Sequence, residues 1–226
     1  MLLIPGMMCD ARLFLPQIAA LSAGRPVMVA DISGADSIPA LAAAVLEQAP
    51  PRFALAGLSM GGIVAMEMLH QAADRITRLA LLNTNARAEL PEVKASRAPQ
   101  IEAARRGNLL RLMEEAMFPR YSVGPDPAIT AIAAAMAADL GPEVFIRQSL
   151  ALRDRADRAD TLRGFTGPAL ILGSRHDELC PPERHHHMAG LMPRARLVML
   201  DDAAHLTTLE RPEETVACLK HWLENT

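Results

Sequence analysis

Phe53-Ala54-Leu55-Ala56-Gly57-Leu58-Ser59-Met60-Gly61-Gly62-Ile63 is the stretch from which the rest of this chain is read. Phe53 to Ala56 is a short apolar run that suits a buried strand, and Ile63 to His70 carries a helical pattern. Ser59 therefore lies on a strand-to-helix turn, the context in which Gly-x-Ser-x-Gly describes a nucleophile elbow. Such a turn strains the serine backbone and leaves no room for side chains two residues before and two after it. Gly57 and Gly61 place no Cβ there. Alone the pattern is weak: with glycine at roughly 7% of residues and serine about as common, chance supplies it in about one such chain in ten or fifteen. The elements around it, and an acid and a base further along, give it weight.

Six short apolar runs read as strands buried on both faces: Leu2 to Ile4, Val27 to Ile32, Phe53 to Leu58, Leu79 to Leu82, Ala169 to Leu172 and Leu197 to Leu200. Helical patterns separate most of them, at Leu13 to Leu21, Ile38 to Gln48, Ile63 to Ala72, Pro182 to Leu191 and Pro212 to Leu223. Pro212 followed by Glu213 and Glu214 is a good helix N-terminus. This alternation predicts an α/β fold, a doubly wound and mostly parallel sheet of about six strands. Between Asn83 and Pro168 the rhythm changes to helices around Ile101 to Met117, Ala128 to Leu140 and Val144 to Arg153, broken by prolines. That predicts a helical cap over residues 86–164, inserted in a core of residues 1–85 and 165–226. The Arg/Asp-rich end, Arg153 to Arg163, reads as a solvated helix face.

At 226 residues, 50% hydrophobic and 22% charged, the chain can bury a large core without metal or disulfide staples. A net charge of −3, with Lys and Arg spread thinly, argues against nucleic acid or an anionic membrane as partner. Cys9, Cys180 and Cys218 are odd in number and lack metal-ligand spacing, which points to a reducing compartment. With no basic leader before an apolar run and no stretch that reads as a membrane span, the expectation is a soluble, cytoplasmic protein. No metal or cofactor is expected. Aromatic residues make up 3% and methionines number 13, so a pocket should be lined by aliphatic and thioether groups.

Ser59 needs a base, and His205 follows the sixth strand, on a loop that reaches the same sheet edge as the elbow. His70 lies on the helix after the elbow, and His221 on the last helix. In His185-His186-His187, neighbouring residues point about 100° apart and cannot share one helix face, so the run reads as a solvated helix start. Asp177, after the fifth strand, is the acid expected to orient the base, with Glu178 its rival; Asp201 and Asp202 are expected to cap a strand end or face solvent. The order Ser59, Asp177, His205 differs from those of chymotrypsin and subtilisin. Oxyanion donors are expected at the backbone N–H of Met60, first in its helix, and of Met7, after the turn at Pro5-Gly6.

With these pieces together the chain resembles the α/β-hydrolase superfamily over nearly its whole length. Gly57 to Gly62 is similar to the elbow of small capped members such as carboxylesterases, enol-lactonases and cofactor-free haloperoxidases. Gly173 to Asp177 with Pro181-Pro182 resembles the acid loop, and His205 followed by Glu210-Arg211-Pro212-Glu213 resembles the histidine loop and last helix. The resemblance implies Ser59 as nucleophile, His205 as base, Asp177 as orienting acid, and the Met7 and Met60 amides as oxyanion hole. It implies a small-molecule substrate: an ester, thioester or lactone of a small, largely apolar acyl group, cleaved through an acyl-enzyme. The same residues also serve lyases, carbon–carbon hydrolases and perhydrolases, and a non-catalytic receptor is a third reading. Two features depart from the family. Met1 almost starts the first strand, with no leading hairpin, which leaves Val27 to Ile32 as an apolar edge and suggests a homodimer through it. Pro5-Gly6 stands where many relatives carry His-Gly.

Overall fold

The computed structural model describes residues 1–225. Its centre is one parallel sheet of β1 (Leu2–Ile4), β2 (Met28–Val29), β3 (Phe53–Leu58), β4 (Ile76–Leu82), β5 (Ala169–Ser174) and β6 (Ala195–Leu200). Neighbours run in the order β2-β1-β3-β4-β5-β6, every pair parallel. Between the first four strands lie α1 (Leu15–Leu21), α2 (Ile38–Gln48) and α3 (Met60–Gln71). Four helices separate β4 from β5: α4 (Pro91–Arg105), α5 (Leu109–Ala116), α6 (Pro127–Arg153) and α7 (Ala159–Arg163). The chain ends with α8 (Pro182–Leu191), the short α9 (Thr207–Glu210) and α10 (Pro212–Glu224).

The strands are continuous apolar runs because helices cover both faces of the sheet. Leu2, Leu3, Ile4, Leu55, Ala56 and Leu79 to Leu82 are wholly buried. The chain winds outward from β1 in both directions, so β1 and β3 flank the switch point of the order. A crevice opens there, beyond the carboxyl ends of the strands. The elbow serine leaves β3 at this place.

The structure corrects several boundaries. The edge strand expected over Val27 to Ile32 is only Met28–Val29. Past Ala30, whose N–H still donates to the Leu3 carbonyl at 2.9 Å, the chain is held by α6: Gln148 Nε2 donates to the Ile32 carbonyl at 3.1 Å and Arg147 Nε to the Ser33 carbonyl at 2.8 Å. A two-residue edge offers little to a pairing partner, so the expected strand-to-strand dimer loses most of its basis. Strand β4 begins at Ile76, earlier than its apolar run, because the Arg78 side chain reaches the Trp222 and Asn225 carbonyls. Helix α4 begins at Pro91, a residue suited to the first turn, and separates from α5 at Gly107 (φ 81°). At 27 residues, α6 has the length and composition of a membrane span, contrary to the sequence reading. It breaks at Gly141 (φ 75°, ψ 176°) before Pro142, and its second half faces the protein through Phe145, Gln148, Ser149 and Leu152.

Candidate active site

Ser59 has φ 56° and ψ −119°, a conformation that L residues rarely adopt and that the surrounding contacts maintain. Its N–H donates to the Leu82 carbonyl at 2.9 Å, while its own carbonyl accepts from Gly62 N (3.0 Å), Ile63 N (3.2 Å) and Thr84 Oγ1 (2.7 Å). The flanking glycines are sterically required. A Cβ on Gly57 would collide with the Gly61 carbonyl, and one on Gly61 with the Ile4 carbonyl.

His205 reaches Ser59 from the loop after β6. Its Nε2 lies 2.9 Å from Ser59 Oγ, and its Nδ1 lies 2.9 Å and 3.0 Å from the two Asp177 oxygens. With the proton on Nδ1 donated to Asp177, Nε2 is left to accept from the serine hydroxyl. Asp177 is buried at the end of the β5 loop and accepts from Leu179 N (2.9 Å), Cys180 N (2.8 Å) and Asn83 Nδ2 (2.9 Å). Burial alone would raise its carboxyl pKa. The charge of His205 and the hydrogen bonds from His205, Cys180 and Asn83 instead hold it below the usual carboxylate value. Glu178, the rival acid, is exposed and 3.8 Å from Arg120. Asp201 and Asp202 are exposed and pair with Arg175 and Arg211. His70 and His221 are also outside this group, on exposed helix positions.

Asn83 is a participant that the sequence reading missed. It ends β4 in a left-handed conformation (φ 42°), a region asparagine tolerates better than most residues. Its wholly buried amide also contacts Ser174 Oγ (2.8 Å) and the Ala204 carbonyl (3.2 Å), and accepts from Thr207 Oγ1 (2.9 Å). The only available signal was a polar residue directly after an apolar strand. Tyr121, from the helical segment, stacks on His205 with ring centroids 6.2 Å apart and is likewise buried.

Met7 and Met60 both border the cavity over Ser59. The β1 loop lies against the serine, since a Cβ on Gly6 would be 3.5 Å from Ser59 Cβ. Met60 N–H belongs to the first residue of α3, where no intrahelical acceptor exists. Among the described residues neither the Met7 nor the Met60 N–H has a hydrogen-bond partner. Met8 is left-handed (φ 55°), and its N–H donates to Gln148 Oε1 at 2.8 Å.

The cavity measures about 520 Å³. Met7, Met60 and Met117 line it as the composition suggested, but so do Arg97, Arg120, Arg155, Arg184, Glu89 and Glu178. Two sequence readings are corrected here. The Arg153 to Arg163 run is not simply solvated: Arg155 is buried against Glu89, and Arg158 pairs with the buried Glu67. His185 is wholly buried, although His186 is exposed as expected.

Asp177, Cys180 and His205 place one donor atom each within 4.8 Å of one another, so a cation is conceivable. The chemistry of the three does not suit one. Asp177 already accepts hydrogen bonds at both oxygens, and His205 Nδ1 is engaged with it.

A parallel sheet with an elbow serine, a histidine in contact with it and a buried carboxylate behind the histidine defines a hydrolase-type α/β architecture. The chain belongs to the alpha/beta hydrolase family, whose model matches residues 1–217. It superposes with a TM-score of 0.89 on a thermophilic esterase from Thermogutta terrifontis, solved with malate bound. The two are 29% identical, with 98% of this chain and 88% of that one covered. It is 31% identical over 205 residues to a pimeloyl-[acyl-carrier protein] methyl ester esterase of Photobacterium profundum, covering 86% of this chain and 79% of that protein. It is 27% identical over 181 residues to a Mycobacterium tuberculosis protein assigned to the non-heme bromoperoxidases. That match takes in 74% of this chain but only 66% of the relative, just under two thirds of its length. The protein is thus an enzyme of hydrolase type.

Proposed function

We propose that this protein is a serine hydrolase that cleaves an ester, thioester or lactone of a small acyl group through an acyl-enzyme. Ser59 Oγ attacks the carbonyl carbon while His205 Nε2 takes its proton, and Asp177 stabilises the resulting imidazolium. The Met7 and Met60 N–H groups receive the negative charge that develops on the carbonyl oxygen, each contributing about 3 kcal/mol. His205 returns the proton to the departing oxygen or sulfur, then activates water, which releases the acid and restores Ser59. Helices of the 86–164 segment, the proposed cap, form the far wall of the cavity and select the acyl group.

The observation that carries this reading is the contact between Ser59 Oγ and His205 Nε2 at 2.9 Å, with Asp177 hydrogen-bonded behind the imidazole. The esterase names of the relatives favour the same class. Free cysteines, two of them buried, fit a reducing compartment such as the cytoplasm. A fluorophosphonate probe is expected to label Ser59. A graded panel of p-nitrophenyl esters and thioesters is expected to lose roughly 10⁴- to 10⁶-fold in kcat with Ser59→Ala. Labelling of Ser59→Ala equal to wild type would refute the assignment. The bromoperoxidase-type relative favours a second use of the same acyl-enzyme, its attack by hydrogen peroxide to give a peracid. Peracid formation that needs both Ser59 and peroxide would reveal it.

A further inference from the structure

A molecule of net charge −3 surrounds its reaction cavity with the opposite sign, four arginines against two glutamates. Two of these arginines are built into the wall. Arg97 and Arg155 have side chains only 13% and 8% exposed, and both lean on one carboxylate, Glu89. Arg97 donates to Glu89 Oε2 from Nε (3.1 Å) and Nη2 (2.8 Å), and Arg155 Nη1 lies 2.6 Å from Oε1. Arg155 Nε donates to the Arg87 carbonyl at 3.0 Å.

Glu89 accepts from both arginines, and the trio keeps one positive charge in excess. The donors left over are specific. Among the described residues Arg97 Nη1 has only the Met7 sulfur, a weak acceptor, at 3.8 Å. Arg155 Nη2 has no protein partner among the described residues. Burial, and after Glu89 the charge of Arg97, bear on the Arg155 guanidinium, whose pKa lies below its ordinary value. A buried surplus cation is costly unless an anion joins it. The contact with Met7 puts the free donor of Arg97 beside the expected oxyanion loop.

We propose that Arg97 and Arg155 bind a carboxylate at the far end of the acyl group whose ester carbonyl lies at Ser59. The substrate is then a monoester, monothioester or lactone derived from a short dicarboxylic acid. One surplus positive charge in the trio matches one carboxylate, and a guanidinium fork matches its two oxygens. The location of the reacting carbonyl rests on the catalytic reading above, whereas the anion site does not.

The test separates the two. Binding of monomethyl glutarate and dimethyl glutarate is measured by calorimetry on Ser59→Ala, so that no turnover intervenes. The monoanion is expected to bind roughly 10- to 100-fold more tightly than the neutral diester. Adding Arg97→Met should bring the two to near parity. Adding Glu89→Gln, which raises the local positive charge, should widen the gap and guards against an Arg97 variant that fails to fold. Equal affinities in Ser59→Ala, no binding of the monoanion, or a preference that Arg97→Met leaves intact would overturn the anion site. Wild-type kcat/KM for the two esters supplies the other arm. Hydrolysis of both at equal kcat/KM overturns the anion site and leaves the serine hydrolase standing. Arg97-dependent binding without hydrolysis of either ester overturns the hydrolase reading and supports the anion site.

Discussion

Asn83 shows how much the proposed triad depends on residues outside it. Its amide donates to Asp177 Oδ2, contacts Ser174 Oγ and the Ala204 carbonyl, and so ties the acid loop to the histidine loop. Replacing it with alanine leaves the buried Asp177 short of one donor, and also leaves Thr207 Oγ1 without its acceptor. Asn83→Ala is expected to lose about 2–4 kcal/mol of stability in urea unfolding. It is also expected to lower kcat more than it changes KM, because His205 loses a fixed partner and not a substrate contact. That Ser59, Asp177 and His205 meet was legible because each carries a signal of position: a serine between strand and helix, an acid and a histidine after later apolar runs. Asn83 has no such signal. A single polar residue after Leu82 reads equally well as the end of a strand, and only the fold brings it within reach of residues more than 90 positions away.

At the scale of elements, α6 couples the helical segment to the edge of the sheet that carries Ser59. Gln148 accepts from Met8 N–H at 2.8 Å and donates to the Ile32 carbonyl at 3.1 Å, clamping the loop that carries Met7, the proposed oxyanion donor. Gln148→Leu keeps the volume but leaves a buried N–H and a buried carbonyl without partners. The expected outcome is a loss of roughly 1–3 kcal/mol in stability and a 10- to 100-fold fall in kcat. KM should change little, and a variant with unchanged kcat would show that Met7 is positioned without this clamp. The strands were readable because a sheet buried on both faces demands continuous apolar runs. Helix α4 was misplaced because its early residues, Pro91 to Gln100, are mostly exposed and carry no apolar face to mark them. The edge strand β2 was overextended for the opposite reason. Ala30 and Ile32 are buried just past the strand, Ala30 N–H bonded to the Leu3 carbonyl and the Ile32 carbonyl to Gln148, and burial looks the same in sequence whichever element supplies it.

For the whole molecule, the buried histidine of the run 185–187 sets how stability responds to acid. His185 fills the space beside Gly173, where a Cβ would lie 2.6 Å from its Cγ, and among the described residues neither ring nitrogen makes a hydrogen bond in good geometry. Burial pushes its pKa down to about 4, against the pull of the Asp177 charge. The unfolded chain binds that proton near pH 6.5. Between those values the unfolded state is protonated at this residue and the folded state is not, so stability is full above pH 6.5 and drains as pH falls toward 4. The carboxylates held low, Asp10, Asp154 and Asp177, act in a different window, because their contribution persists until pH drops below the ordinary carboxylate value. Urea unfolding at pH 5 should therefore find the wild type about 2 kcal/mol less stable than at pH 7. His185→Leu should flatten most of that difference, and should not weaken the protein at pH 7, where it removes two unpartnered ring nitrogens from the interior. If His185→Leu kept the full wild-type slope between pH 7 and pH 5, the titrating group would have to be another one. The buried ring would then have to be protonated in the fold or already shielded from solvent in the unfolded chain.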